Sequence, residues 1–516
     1  MCSALRLLPV ALGLLAGPLA PAALAQWAEE QRLLAADGAA GDFAGWSVDL
    51  RGGVAIVGAW GDDDAGGGSG SATVYRYEAS AGVWLQEQKL TASDAEGGDN
   101  FGWAVAIDGD LALVGAGFDD DRAPGAGAAY VFRYDAGSGQ WLEEQKLLAS
   151  DGTAMDRFGH AVDLDGSVAV VGAAQDDDVA EYAGSAYVFR YDAGSGQWVQ
   201  EQKLTASDGA YADNLGAAVS VSGDVILLGA ESDDQGLDAG SAYVFQFDSG
   251  SGQWVETQKL LASDGQQLDY FGGAVALDGD AALIGAERDT EGGVPMGSAT
   301  VFRYDGDTAQ WVEEQELLPS DGAAFDNFGF SVALDGDVGL VGAFVADARG
   351  TDSGAAYVFR RDGSSGLWSE EQKLTASDGA ASDEFGVSVA LDGDAALVGA
   401  SQADARGTDS GAAYVFRHGG PQPIEPTEPA GTARLWSYPN PFRASAVIAY
   451  TVPEAGAVRV AVYDVLGREV AVLVDGVQAA GRHEVTWDAG AAPSGVYVYR
   501  IELAGTVETR ALVRVE

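Results

Sequence analysis

The sequence predicts an all-β protein, a seven-bladed β-propeller followed by a small Ig-like β-sandwich. Three observations carry this prediction. One unit of about 57 residues recurs seven times between Trp27 and His418, and a fixed period of that length marks a repeat architecture. Each unit holds four short β-branched or aromatic runs split by Gly, Asp and Ser turns, as in an antiparallel meander. After a Pro-rich break at 421–433 the texture changes to long alternating runs such as Val458-Arg459-Val460-Ala461-Val462-Tyr463.

Residues 1–25 read as an export signal, with Arg6 as the charged start, an apolar run from Leu7 to Ala20, and a small-residue cleavage site at Ala23-Leu24-Ala25. That run is too short and too broken by Pro and Gly to span a bilayer, and no later segment qualifies. Cys2 is the one cysteine and leaves with the signal, so the exported chain has no disulfide to rely on.

The propeller is expected over 26–420. Its units are anchored by Phe-Gly at Phe101-Gly102, Phe158-Gly159, Phe271-Gly272, Phe328-Gly329 and Phe385-Gly386, with degenerate copies at Phe43-Ala44 and Leu215-Gly216. In the third unit Ala161-Val162-Asp163-Leu164 leads through the hairpin signal Asp165-Gly166 into Val168-Ala169-Val170-Val171-Gly172-Ala173. Tyr187-Val188-Phe189-Arg190-Tyr191 and Trp198-Val199-Gln200-Glu201-Gln202-Lys203-Leu204 follow. The small first two runs suit the crowded axis. The charged Trp run suits the outer edge, where Glu and Lys discourage edge-to-edge pairing, and a monomer is expected. Six Trp runs lie inside the repeat series, at Trp84, Trp141, Trp198, Trp254, Trp311 and Trp368. The seventh is Trp27 to Leu34, ahead of the first unit, so it should complete the last blade and close the ring.

Charge narrows the function. With 28 Lys+Arg against 79 Asp+Glu the formal charge is -51, which repels nucleic acid and anionic membrane and suits a salt-rich medium. The acids gather in loops that chain reversal puts on one face: Asp62-Asp63-Asp64, Asp119-Asp120-Asp121, Asp176-Asp177-Asp178 and Asp233-Asp234 between second and third strands, and pairs such as Asp94 and Asp99 between blades. Carboxylates and loop carbonyls suit Ca²⁺. The alternative is that they cap turns and stay solvated, leaving no cofactor. No nucleophile elbow, metal-ligand His pair or phosphate loop is present, so the chain reads as a binding module. The competing readings are a secreted hydrolase using loop carboxylates and a structural surface protein with no discrete ligand.

Phe-Gly, then Val-Gly-Ala, then Gly-Ser-Ala-Tyr-Val-Phe resembles the FG-GAP repeat of integrin alpha-chain propellers in its bacterial variant. The resemblance implies a propeller used for adhesion, ligand binding or scaffolding, and the ligand expected of a binding module is a glycan, a matrix polymer or another surface protein. No copy carries the family's Asp-x-Asp-x-Asp-Gly calcium loop, so those sites do not transfer. From 434 to 516, Tyr438-Pro439-Asn440-Pro441-Phe442, then Tyr463-Asp464-Val465-Leu466-Gly467-Arg468, then Gly495-Val496-Tyr497 resemble the type A sorting domain of the type IX secretion system. That implies recognition by an outer-membrane translocon, then secretion or display on the outer surface of a Bacteroidetes-like bacterium.

Overall fold

The computed structural model describes residues 26–233, 238–419 and most of 435–514, without 439–444, 453–455, 465–467, 479–480, 491, 494 and 504–505. The expected export signal, the linker and Asp234 lie outside the described residues. Two compact units are present, Met1–Pro423 and Ile424–Glu516, and among the described residues neither contains a helix.

The first unit is seven four-stranded antiparallel sheets, numbered here as blades 1 to 7 from the sheet that starts at Ser47. Blade 3 shows the plan: Phe158–Asp165 innermost, then Val168–Ala173, then Ser185–Asp192, with Gln197–Leu204 outermost. Each innermost strand packs against those of both neighbours, and that of blade 7 packs against that of blade 1. Trp27–Leu33 forms the outer strand of blade 7, antiparallel to Ala412–His418, with Trp27 opposite His418 and Leu33 opposite Ala413.

The Phe-Gly and Val-Gly-Ala motifs meet at the blade junctions. The Phe is buried in the interface, and the Gly after it has φ between 87° and 97° across the ring, where a side chain is strained. A Cβ on the Val-Gly-Ala glycine would overlap a neighbouring-blade carbonyl: Gly58 against Gly102, Gly285 against Gly329, and Gly399 against Gly45. Backbones of adjacent blades therefore touch where only hydrogens fit between them. This contact corrects the register of the first unit. Ala44, not Phe43, takes the anchor position, bridging to Gly411, and Gly45 (φ 90°) follows it. Phe43 fills the preceding left-handed position that Asn100 and Arg157 hold in blades 2 and 3. The visible Phe drew the alignment one residue early.

The rim carries a second junction. Every outer strand reads Trp-x-x-x-Gln, and each Gln side chain pairs with both backbone groups of the next blade's Trp. Gln145 accepts from Trp198 N at 2.9 Å and donates to its carbonyl at 2.8 Å. Gln372 does the same to Trp27 at 2.8 and 2.7 Å, across the chain closure.

In the second unit Leu435–Tyr438, Ser445–Val452 and Gly481–Asp488 form one sheet. Glu469–Gln478, Gly456–Asp464, Gly495–Leu503 and Thr506–Arg514 form the other. Ile448, Tyr450 and Trp487 from the first sheet and Val460, Tyr497 and Ile501 from the second share one core, which makes the unit a β-sandwich.

Candidate functional site

The acidic loops come first, because the sequence placed candidate ligands there. Asp62, Asp119, Asp176 and Asp233 are buried, and each meets a lysine from its own outer strand: Lys89 at 2.5 Å, Lys146 at 2.8 Å, Lys203 at 2.7 Å and Lys259 at 2.7 Å. The same ammonium groups reach Asp37, Asp94, Asp151 and Asp208 in the loop leading into the blade, at 2.8–3.1 Å. Asp64, Asp121 and Asp178 add a further carboxylate at 2.6 Å, while Asp63, Asp120 and Asp177 are exposed. The Tyr130 hydroxyl lies within hydrogen-bond reach of both Asp94 and Asp119, at 2.9 and 2.7 Å, and shares its one proton between them. Burial opposes the charge of Lys146, but hydrogen bonds to Asp119, Asp121 and Asp94 outweigh it and raise its pKa. Lysine therefore fills the position that the sequence reading gave to a cation. Lys373, the remaining lysine, holds Asp321 at 2.9 Å, with Ala346 where the buried Asp would stand.

The ring departs from its repeat at the axial end of the same face. The varying positions flank the Phe-Gly anchor and follow the Gly-Ala of the second strand. In blades 1 to 3 they hold Phe43, Trp46, Trp60, Trp103, Phe118, Arg157 and His160. Phe43 stacks on Trp60 at 4.7 Å with an interplanar angle of 1°. Trp46 lies 5.0 Å from Trp103, and Trp103 lies 5.9 Å from His160. The Arg157 guanidinium sits 4.6 Å over Phe118. The result is one continuous aromatic arc across three blades, half-buried throughout. Burial, then the nearby Arg157 charge, pushes the His160 imidazole down to about 4, so it is neutral at ordinary pH.

The opposite arc carries carboxylates in blades 4, 5 and 7, with the Phe330–Phe344 pair between them in blade 6. Glu231 and Glu287 stand at equivalent positions of blades 4 and 5, and burial raises both pKa values, with repulsion from Glu287 adding at Glu231. Glu384 in blade 7 is also raised by burial, against hydrogen bonds from Ser401 and Gln402. Outside this mouth, Met155, Leu268 and Phe325 project from the loops at φ of 71°, 69° and 69°, with Phe325 70 % exposed. Gly41, Gly98, Ala212 and Ser382 take the same left-handed conformation in the other blades, so the turn belongs to the repeat and only the side chain varies. Phe325 also lines a cleft of about 330 Å³ with Arg288, Pro295 and Asn327. Sequence reasoning passed over this mouth. The available signal was the clustering of Trp and Phe at columns where other units carry Ala, Gly or Val.

Of the sorting-motif residues, Tyr438 ends a strand and Tyr463 and Asp464 end another, while Pro439, Asn440, Pro441, Phe442, Leu466 and Gly467 lie outside the described residues. Arg468 is exposed, and Gly495 opens the strand that buries Tyr497. Tyr497 packs edge-on to Trp487 at 4.9 Å and donates to the Pro493 carbonyl at 2.5 Å.

The FG-GAP repeat model matches residues 27–75, 84–132, 141–189, 198–245, 254–302, 311–359 and 368–416, well over half of the chain. The chain belongs to the FG-GAP repeat family. In this FG-GAP protein the segment 437–515 matches the secretion system C-terminal sorting domain, which indicates export by the type IX route of Bacteroidetes to the cell surface or the medium. That domain implies interaction with the secretion machinery. Among the described residues no helix is long and apolar enough to cross a membrane. No curated protein matches the chain. Similar solved structures include PorZ of Porphyromonas gingivalis, an essential surface component of its type IX secretion system, at 13 % identity and TM-score 0.35 over 90 % of this chain and 64 % of PorZ. Sqt1 of Saccharomyces cerevisiae is similar at 9 % identity and TM-score 0.39 over 94 % and 99 %. An acylaminoacyl peptidase is similar at 9 % and 0.39 over 78 % and 57 %. Likenesses this distant carry no argument about activity.

Proposed function

We propose that the exported propeller is a carbohydrate-binding surface module whose platform is the aromatic arc at the axial mouth. The observation that carries this is the unbroken run Phe43, Trp60, Trp46, Trp103 and His160, with ring centroids 4.7–6.3 Å apart. Broad aromatic faces take up the apolar C–H faces of sugars, and convergent carboxylates opposite them accept hydroxyl hydrogens. The sorting domain delivers the module to the surface, where a glycan or glycoprotein is the ligand. A glycan array followed by calorimetry on the full chain tests this, beside a Trp46→Ala/Trp103→Ala variant. Equivalent positions already hold Ala217 and Gly273, so the variant should fold. Loss of these two stacking partners should weaken binding at least about tenfold, or about 1.4 kcal/mol. Undiminished glycan affinity in the double variant would exclude the aromatic platform.

One observation favours a second reading, a secreted glycosidase. Glu231 and Glu287 stand at equivalent positions of adjacent blades, both with raised pKa values and with the charge of Glu287 felt at Glu231, the condition for a protonated acid beside a carboxylate base. Turnover of an array hit that disappears in Glu231→Gln while binding persists would support it. Binding without turnover would leave the module reading alone.

A further inference from the structure

Glu316 stands where every other blade carries a cation. Its counterparts are Lys89, Lys146, Lys203, Lys259, Lys373 and, in the closing strand, Arg32. In four of those blades the lysine bridges a buried Asp after the second strand and an Asp in the incoming loop. Blade 5 keeps both carboxylates, as Asp289 and Asp264, and replaces the ammonium with a third.

The surroundings show what that charge reversal requires. Asp289 is only 6 % exposed. Among the described residues no hydrogen bond reaches its carboxylate from outside this cluster of acids. The tyrosine whose hydroxyl serves this Asp in blades 2, 3 and 4 is Thr300 here, so that donor is missing as well. Glu316 Oε1 is shut off from solvent without a hydrogen-bond partner. The ligating oxygens of Asp264, Asp289 and Glu316 lie within 4.8 Å of one another, inside the span of about 4.6–5.2 Å across a Ca²⁺ shell. Three carboxylates this close keep their charge only around a counter-ion.

We propose that a divalent cation, with Ca²⁺ the best match to an all-oxygen set, replaces the lysine in blade 5, held by Asp264, Asp289 and Glu316. Asp264 comes from the incoming loop, Asp289 from the loop after the second strand and Glu316 from the outer strand. This is unlike the contiguous calcium loop of the family. The short hairpin Thr290–Glu291 and Val294–Pro295, present in blade 5 alone among the described blades, begins one residue beyond Asp289. An ion at Asp289 would therefore fix the hairpin that supplies Pro295 to the cleft beside Phe325.

The test is calorimetric titration of CaCl₂ into the chelator-treated full chain, with thermal melts, on wild type, Glu316→Lys and Glu316→Gln. Wild type should bind about one ion that Glu316→Lys does not, and a hundredfold excess over Kd should raise its Tm by about 3 °C. Glu316→Lys recreates the ammonium bridge of the sister blades, so its melt should match that of Ca²⁺-loaded wild type and ignore chelator. Glu316→Gln keeps the shape without the charge and should weaken Ca²⁺ binding at least tenfold. No heat and no Tm shift in wild type at millimolar Ca²⁺ would overturn the proposal. So would a Ca²⁺ stoichiometry unchanged in both variants, which would move the ion to another loop.

Discussion

Replacing Trp27 with Ala tests ring closure with the least disturbance. The indole is 3 % exposed and packs across the junction of blades 6 and 7, in a cluster with Leu340, Val358, Leu374 and Phe416. Its ring also lies 5.3 Å from that of His418. The backbone bonds to Gln372 survive the substitution, so the loss is one of packing. A buried Trp covers roughly 150–250 Å², or about 4–6 kcal/mol at ~25 cal/mol/Å², and Trp→Ala changes in cores cost about 3–5 kcal/mol. A ring of about 390 residues has an unfolding entropy near 0.8 kcal/mol/K, so Tm should fall by about 4–6 °C. Differential scanning calorimetry reads this directly. Trp198→Ala is the control, because Trp198 is 2 % exposed and pairs with Gln145 in the same way inside a continuous stretch of chain. If Trp27→Ala melts within 1 °C of wild type while Trp198→Ala drops as expected, the N-terminal strand does not hold the ring and the reasoning fails.

Two further outcomes follow from the junctions and the mouth. Gly285→Ala places a methyl on the Gly329 carbonyl and should cost more than about 3 kcal/mol, whereas Gly279→Ala meets open space at φ 57° and should cost only about 1–2 kcal/mol; urea melts of both compare the two. His160 has its folded pKa depressed to about 4 against about 6.5 unfolded, so the unfolded chain binds the extra proton between those values. Stability should fall by about 3 kcal/mol as pH drops from 6.5 to 4. His160→Phe, which borrows the residue of Phe330, should lose that limb. Asp49, pushed up to about 7 by burial, works in the opposite sense, so the difference between variant and wild type is the quantity to follow.

Strand order and closure could be read from the sequence because both follow from local pattern and counting. Each outer strand announces itself with Trp, and the count left Trp27 as the only partner for the last blade. The register at Phe43 could not be read in this way. A Phe invites alignment with other Phe residues, whereas the backbone contact selects the glycine, and Gly45 sits two places further on. Trp-x-x-x-Gln was present in all seven outer strands, yet its role depends on the next blade's backbone arriving beside the Gln side chain. The acidic loops left two readings open for a related reason. Their counter-ions lie 25 to 27 residues downstream, on a strand that returns to the same face only after two reversals. The mouth has no motif; it is a set of departures from one.

Trp27 pairs with His418, some 390 residues later. The strand that comes first in the chain therefore finds its place only after the last blade has formed, and until then two ladder edges stay open. Ring closure is the most non-local pairing of the propeller, and it is expected to form later than any one blade.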